Sequence, residues 1–304
     1  MTVSRREFVT VTAATMAGAG SPVPALSADA LIRRPIPASG EMLPAVGLGT
    51  ARRYERADHE DALAPLRATI EKFAEFGGLL IDTAPSYGNA EAIIGKLIAR
   101  IESRDRLFLS TKVGATGREA GIAQVEDSFR RLRPHRIDLI SVHNLQDVPT
   151  QLPMLRDLRE AQLIRYVGAT TSNDRQYRDF EAMMRRERLD FIQVDYALDN
   201  RGAAERLLPL AVEREMAVMI NLPFGRGRLF EATRGKPLPD WAGEFDCRSW
   251  AQFFLKYLIG HPAVTCVIPG MARPEYVADN LAAATGRLPD ADLRRRMESF
   301  IDAL

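Results

Sequence analysis

The run Leu79-Leu80-Ile81-Asp82-Thr83-Ala84-Pro85-Ser86-Tyr87-Gly88-Asn89 decides how this chain folds. A short apolar stretch ends on a carboxylate and a Pro-Ser-Tyr-Gly turn follows. Apolar residues then recur at helical spacing, at Ile93, Ile94, Leu97 and Ile98, behind Asn89 as a cap. That is one strand, one turn and one helix. Working outward, the same alternation predicts strands at residues 44–48, 79–83, 107–112, 137–143, 165–170, 191–196, 217–221 and 264–269, with a period of ~25–35 residues. Helical patterns lie between them, for example Leu66, Ile70, Phe73 and Ala74 closed by Gly77-Gly78, and Trp250, Phe254, Tyr257 and Leu258. Strands without polar alternation are buried on both faces, so the pattern predicts a parallel sheet covered by helices. Eight such units over residues 31–304 predict a single-domain α/β fold, a (β/α)8 barrel, rather than two doubly wound domains. Residues 32–42, with Ser39-Gly40 at their centre, predict an N-terminal β-hairpin that closes the barrel's bottom.

Across 304 residues, 41 Lys and Arg stand against 40 Asp and Glu, a net charge of +1, so no field of one sign marks a nucleic-acid partner. A hydrophobic share of 46% is that of a folded globular protein and excludes a disordered chain. Cys247 and Cys266 give little reason for a disulfide, and His59, His135 and His261 are too scattered for a metal site.

Residues 1–30 read as an address. Ser4-Arg5-Arg6-Glu7-Phe8 leads into an uncharged stretch, and Ala28-Asp29-Ala30 supplies a small-x-small cleavage site. This is the order of a twin-arginine signal peptide, which implies the Tat export machinery as a partner and a periplasmic destination. If the two arginines fell together by chance, the protein is cytoplasmic. Thr10, Thr12, Thr15, Gly18 and Gly20 dilute the stretch below the ~20 predominantly apolar residues of a spanning helix, so no stable membrane anchor is expected.

A barrel of this kind carries its chemistry at the C-terminal ends of its strands. There the sequence places Asp82, Lys112 and His143, with Tyr87 in the loop after the second strand. Taken singly, Asp82 and Lys112 make a structural ion pair, Tyr87 a turn aromatic and His143 a core histidine. Taken together they suit proton transfer to a carbonyl oxygen. A buried ammonium pulls a phenol's pKa down from ~10 towards neutrality. Tyr87 then acts as general acid, Asp82 holds Lys112 charged, and His143 donates a second hydrogen bond.

The chain also resembles the aldo/keto reductase superfamily over essentially its whole length beyond residue 30. The resemblance rests on Gly47-Leu48-Gly49-Thr50, on Ile81 through Glu91 with Gly95, on Ser110-Thr111-Lys112 and Asp138 through His143, and on Gln193-Val194 and Ile268-Pro269-Gly270 through Asn280. It implies a catalytic tetrad of Asp82, Tyr87, Lys112 and His143. It also implies reduction of an aldehyde or ketone, or oxidation of the alcohol, by hydride transfer with NADP(H), NAD(H) being the other candidate. No GxGxxG follows a strand, in keeping with a family that binds its dinucleotide without a Rossmann domain.

By the same resemblance, Gln193 with Thr170 and Thr171 holds the nicotinamide amide, and Leu222 and Gly225 line the pyrophosphate. Asp279 and Asn280 contact the adenine end, and Gly49, Thr50, Asp82, Ile268 and Gly270 complete the set. Three departures stand out. Asn221 replaces an aromatic that stacks on the nicotinamide in many members, Thr170-Thr171 replaces Ser-Asn, and Gly270 and Tyr276 replace basic residues, which leaves Arg273 to meet a 2′-phosphate. Asn221 also keeps open a non-catalytic reading, a barrel that retains a nucleotide- or sugar-like ligand as sensor or scaffold. The complete tetrad counts against it. The partner is a small-molecule carbonyl or alcohol, and a monomer is the family-like default. Specificity is expected from loops 51–61, 113–120 and 225–245, with Arg52, Arg53, Tyr54, Phe230, Trp241 and Phe245 facing the pocket and Trp241 either a lid residue or a loop anchor.

Overall fold

The computed structural model describes residues 31–55, 59–102 and 104–304, so the export segment expected at 1–30 lies outside the described residues. An antiparallel hairpin, β1 (Arg33–Pro35) and β2 (Met42–Pro44), precedes eight parallel strands. These are β3 (Leu48–Gly49), β4 (Leu80–Asp82), β5 (Phe108–Val113), β6 (Ile137–His143), β7 (Ile164–Thr170), β8 (Phe191–Asp195), β9 (Ala217–Asn221) and β10 (Cys266–Val267). Each pairs with the next in chain order. The ends then join, because the Gly47 and Gly49 amides donate to the Val267 and Pro269 carbonyls, each at 2.9 Å. The result is the anticipated (β/α)8 barrel. Strand ends differ from expectation by a residue or so in several places and by more in two: Pro44 belongs to the hairpin, so the first barrel strand starts later, and β10 is shorter than residues 264–269.

Helices cover the outside, among them α1 (Glu60–Glu75), α2 (Ala90–Ile98), α3 (Arg118–Leu132), α4 (Val148–Glu160), α5 (Tyr177–Arg186), α6 (Ala203–Glu213), α7 (Arg228–Ala232), α8 (Trp250–Ile259), α9 (Pro274–Ala282) and α10 (Ala291–Asp302). Asn89 does occupy the cap position of α2, but its side chain makes no capping bond. Gly95 lets α2 lie against the end of α3, since a Cβ there would sit 2.0 Å from the Arg131 carbonyl oxygen. Buried Glu91 braces the same junction, accepting from Thr111 Oγ1 at 2.7 Å and lying 3.4 Å from Arg131 Nη1.

Side chains alternate across each strand, and that alternation separates two cores. Outward residues such as Ile81, Leu109, Ile140, Val167, Ile192 and Val218 pack under the helices. Inward residues Leu80, Phe108, Leu139, Tyr166, Phe191 and Ala217 form a floor with Ile36 and Leu43 of the hairpin region. Phe108, Tyr166 and Phe191 pack ring to ring with centroids 5.4–5.9 Å apart. The floor's polar atoms are paired, the Tyr166 hydroxyl lying 2.7 Å from both Ser39 Oγ and Glu41 Oε2 while Arg165 binds Asp138 and Glu41. Burying each large apolar side chain contributes about 1.5–3 kcal/mol, so this layer holds the strands in register.

Candidate active site

Following the inward parity two to four residues further along each strand leads from the floor to the C-terminal rim. The register sets Asp82 beside Ser110, Lys112 beside Ser141, His143 beside Thr170, Thr170 beside Gln193, and Asn221 beside Asp195. The chemistry expected at the strand ends is therefore on one inner face.

Lys112 Nζ donates to both oxygens of Asp82, at 2.9 and 2.8 Å, and to the Thr83 carbonyl at 2.9 Å. Ser110 Oγ adds a bond to Asp82 Oδ1 at 2.9 Å. Both ions are buried. Burial alone would strip the proton from Lys112, but the Asp82 carboxylate and the Tyr87 phenol outweigh it and hold the ammonium pKa above its ordinary value. The pair is thus charged and locked, at a desolvation cost that only close geometry offsets.

Tyr87 is half-buried, on a turn fixed by its amide bond to Ala84 O and by the Ala90 amide on its own carbonyl, both at 3.0 Å. Its ring lies 5.3 Å from Lys112 Nζ and meets the His143 ring edge-on at 6.2 Å. The expected lowering of its pKa is not what this structure gives. Desolvation comes first and raises the phenol, Lys112 pulls it down, and Asp82 pushes it back, so it stands above its ordinary value. The ammonium's pull is spent largely on Asp82. Tyr87 is in consequence a protonated phenol at neutral pH, the form that gives up a proton.

Burial lowers the His143 pKa to about 4, helped by Lys112 and opposed by Asp82. Its ring is neutral near pH 7, and among the described residues neither ring nitrogen has a hydrogen-bond partner. It is free to donate one bond inward.

The other expected residues sort differently. Gly49, Thr50, Thr170, Thr171, Gln193 and Ile268 are buried at the rim. Gly270 is exposed and bridges Gly49. Thr171 Oγ1 is occupied within the chain, 2.6 Å from Gln176 Oε1. Leu222 and Gly225 both adopt left-handed backbone, φ 51° and 55°, and a Cβ on Gly225 would stand 2.3 Å from the Asp199 carboxylate, so backbone and neighbour both favour glycine there. Asn280 is buried, whereas the Asp279 carboxylate accepts from Ser249 Oγ and from Gln252 Nε2 at 2.7 Å, which ties it to the start of α8. Arg273 is exposed at the start of α9, 3.9 Å from Glu275.

Of the loop residues expected to face the pocket, Tyr54 and Phe245 are fully buried instead. Trp241 anchors its loop among Phe245, Phe253 and Phe300 rather than covering the site. A cavity of about 680 Å³ opens between the loops after β6, β7, β8 and β9, lined among others by Asn144, Ser172, Asp195, Asn200, Leu222 and Arg226 and by none of the four tetrad residues. Asp195 in its wall accepts from Tyr177 and Asn200, at 2.7 and 2.8 Å. None of these three was singled out from the sequence, and only Asp195, at the end of β8, occupies a strand-end position that could have pointed to it. Among the described residues, three buried polar atoms at this rim have no partner, Thr83 Oγ1, Gln193 Nε2 and Asn221 Oδ1.

Residues 45–300 match the sequence profile of the aldo/keto reductase family. The chain is 30% identical over 266 residues to the methylglyoxal reductase YeaE of Escherichia coli (strain K12), a match covering 84% of this chain and 90% of that protein. It is 24% identical over 292 residues to an NADH-specific methylglyoxal reductase of the same strain, covering 77% and 87%. Among solved structures, an aldo/keto reductase from Klebsiella pneumoniae in complex with NADP and acetate superposes with a TM-score of 0.74 at 26% identity, over 86% of this chain and 93% of that one.

Proposed function

The chain belongs to the aldo/keto reductase family, and on that premise we propose that it reduces a small aldehyde or ketone with NADP(H), Tyr87 serving as general acid. The observation that carries this reading is the Lys112–Asp82 pair set behind a protonated Tyr87 and a neutral His143 on one inner rim. The dinucleotide, when bound, supplies the hydride, or accepts it in the reverse direction. The buried residues at the rim fit such a group, since Gln193 Nε2 and Asn221 Oδ1 lack partners among the described residues.

The rest is done by side chains. Tyr87 and His143 each donate a hydrogen bond to the carbonyl oxygen, which orients it and stabilises the negative charge that develops there. Tyr87 then passes its proton to that oxygen. Lys112 stabilises the resulting phenolate, and Asp82 keeps Lys112 charged and in place. In alcohol oxidation the same groups run backwards.

Methylglyoxal reductases among the relatives support a small, polar carbonyl substrate. A Klebsiella relative in complex with NADP supports NADP(H), and an NADH-specific relative keeps NAD(H) as the second candidate. Arg273 is the residue we assign to a 2′-phosphate, because it is an exposed cation whose ion pair with Glu275 is a loose one at 3.9 Å. We also propose twin-arginine export, on Arg5-Arg6 and the stretch that follows. Replacing both arginines by lysine would leave the protein in the cytoplasmic fraction, and unchanged export would refute it.

The test of the activity is Tyr87→Phe. Turnover of methylglyoxal with NADPH drops by about 10²–10⁴-fold, with NADPH affinity and melting temperature preserved. Equal turnover in the variant would sink the assignment. NADPH binding without turnover of any aldehyde in the wild type would favour the ligand-retaining barrel.

A further inference from the structure

Asn221 is one of the three positions at which the sequence departs from the family it resembles, and its surroundings give it a definite task. The Asn221 Nδ2 group donates to the Thr171 carbonyl at 3.1 Å. A carbonyl only accepts, so this bond fixes which end of the amide is nitrogen and which is oxygen. Oδ1 is the end left over, sealed from solvent and without a partner. The Thr171 amide in turn donates to the Gln193 carbonyl at 2.9 Å. Gln193 sits on the neighbouring strand, two residues below the position paired with Asn221. Its Nε2 is also buried and unpartnered. One rigid backbone unit therefore ties together a lone acceptor and a lone donor on the same inner face.

Leaving both atoms unpaired is costly, and a group that offered only an acceptor or only a donor would satisfy one of them. A primary carboxamide offers both: its oxygen accepts and its nitrogen donates. Resting on the dinucleotide reading above, we propose that Asn221 is a specificity-determining residue, whose Oδ1 accepts from the carboxamide nitrogen of the nicotinamide while Gln193 Nε2 donates to the carboxamide oxygen. A stacked aromatic at this position would hold any flat ring alike. Asn221 instead makes binding depend on the amide N–H, because an analogue that lacks it leaves Oδ1 buried and unpaired.

The experiment is calorimetric titration of the purified full chain with two oxidised probes, NADP⁺ and 3-acetylpyridine adenine dinucleotide phosphate. The second keeps the carbonyl and replaces the nitrogen by a methyl group. Wild type is expected to bind NADP⁺ about tenfold more tightly. Asn221→Leu loses that advantage by weakening NADP⁺ alone, so the ratio moves towards one while the analogue's affinity stays where it was. Asn221→Ser, which keeps a small acceptor, retains part of the ratio. Equal affinities in the wild type, or an unchanged ratio in a folded Asn221→Leu, would overturn the role of Asn221 and leave the reductase reading standing. If neither probe binds, both fall together.

Discussion

On β5, Phe108 stacks on Tyr166 in the barrel floor, and four residues later Lys112 pairs with Asp82 at the rim. On β8, Phe191 packs into the same floor, and two residues later Gln193 carries a buried nitrogen with no partner. The two regions share strands, parity and burial and differ in how their polar groups are treated. In the floor, Tyr166, Arg165, Asp138, Glu41 and Ser39 satisfy one another. At the rim, Thr83 Oγ1, Gln193 Nε2 and Asn221 Oδ1 are buried without a partner among the described residues. Among the described residues, buried groups without partners also occur at Arg34, Tyr54, Arg67 and Gln151, but none belongs to the apolar floor, whereas the rim brings three together where they can serve binding.

That division can be broken from either side. The largest effect is expected for Lys112→Met, which leaves Asp82 buried without its counter-charge. Stability should fall by about 3–5 kcal/mol in urea unfolding, and turnover of the folded fraction should fall by about 10²-fold or more. Full activity in the folded fraction would reduce the pair to a brace. Phe191→Ala in the floor should cost a similar 3–5 kcal/mol while activity per folded molecule is kept, and a selective loss of activity would mean that floor and rim are not separable. Next comes Arg273→Ala. It should weaken NADPH by roughly 3–10-fold and leave NADH alone, as befits an exposed charge-assisted contact; equal losses for the two would remove Arg273 from the phosphate.

The smallest effect concerns pH. The His143 pKa is lowered from 6.5 to about 4, so below pH 6.5 the unfolded chain takes up a proton that the folded one refuses until about 4. Stability therefore falls as pH drops through that window and is unaffected above it. His261, also lowered to about 4 by burial, adds to the same slope. His143→Gln should recover roughly 2–4 °C of the acid-side loss in melting temperature, and no change in slope would contradict a buried neutral imidazole.

Much of this was readable in the chain itself, and the exceptions have physical causes. β9 falls where apolar residues run unbroken to a polar strand end, and β6 where Ile137, Leu139, Ile140 and Val142 lead to His143. Pro44 misled because one apolar run, Pro44 to Leu48, crosses from the hairpin into the barrel, and apolarity does not mark the bend. Asp82, Lys112 and His143 were readable because strand ends are where this fold exposes inward polar residues. Tyr177, Asp195 and Asn200 were not, because their bonds join a helix, a strand end and a loop that no spacing connects. The direction of the Tyr87 shift was misjudged because proximity to a cation is visible in a motif and depth of burial is not.

The most direct measurement is a titration of the protein with NADPH, followed by nicotinamide fluorescence, with methylglyoxal then added to the saturated complex in a single turnover. The expected result is saturable binding at one equivalent and complete oxidation of the bound NADPH in wild type, with binding but no oxidation on the same timescale in Tyr87→Phe. Folded wild-type protein that binds no dinucleotide, or Tyr87→Phe that oxidises it as fast as wild type, would contradict a rim built for carbonyl reduction.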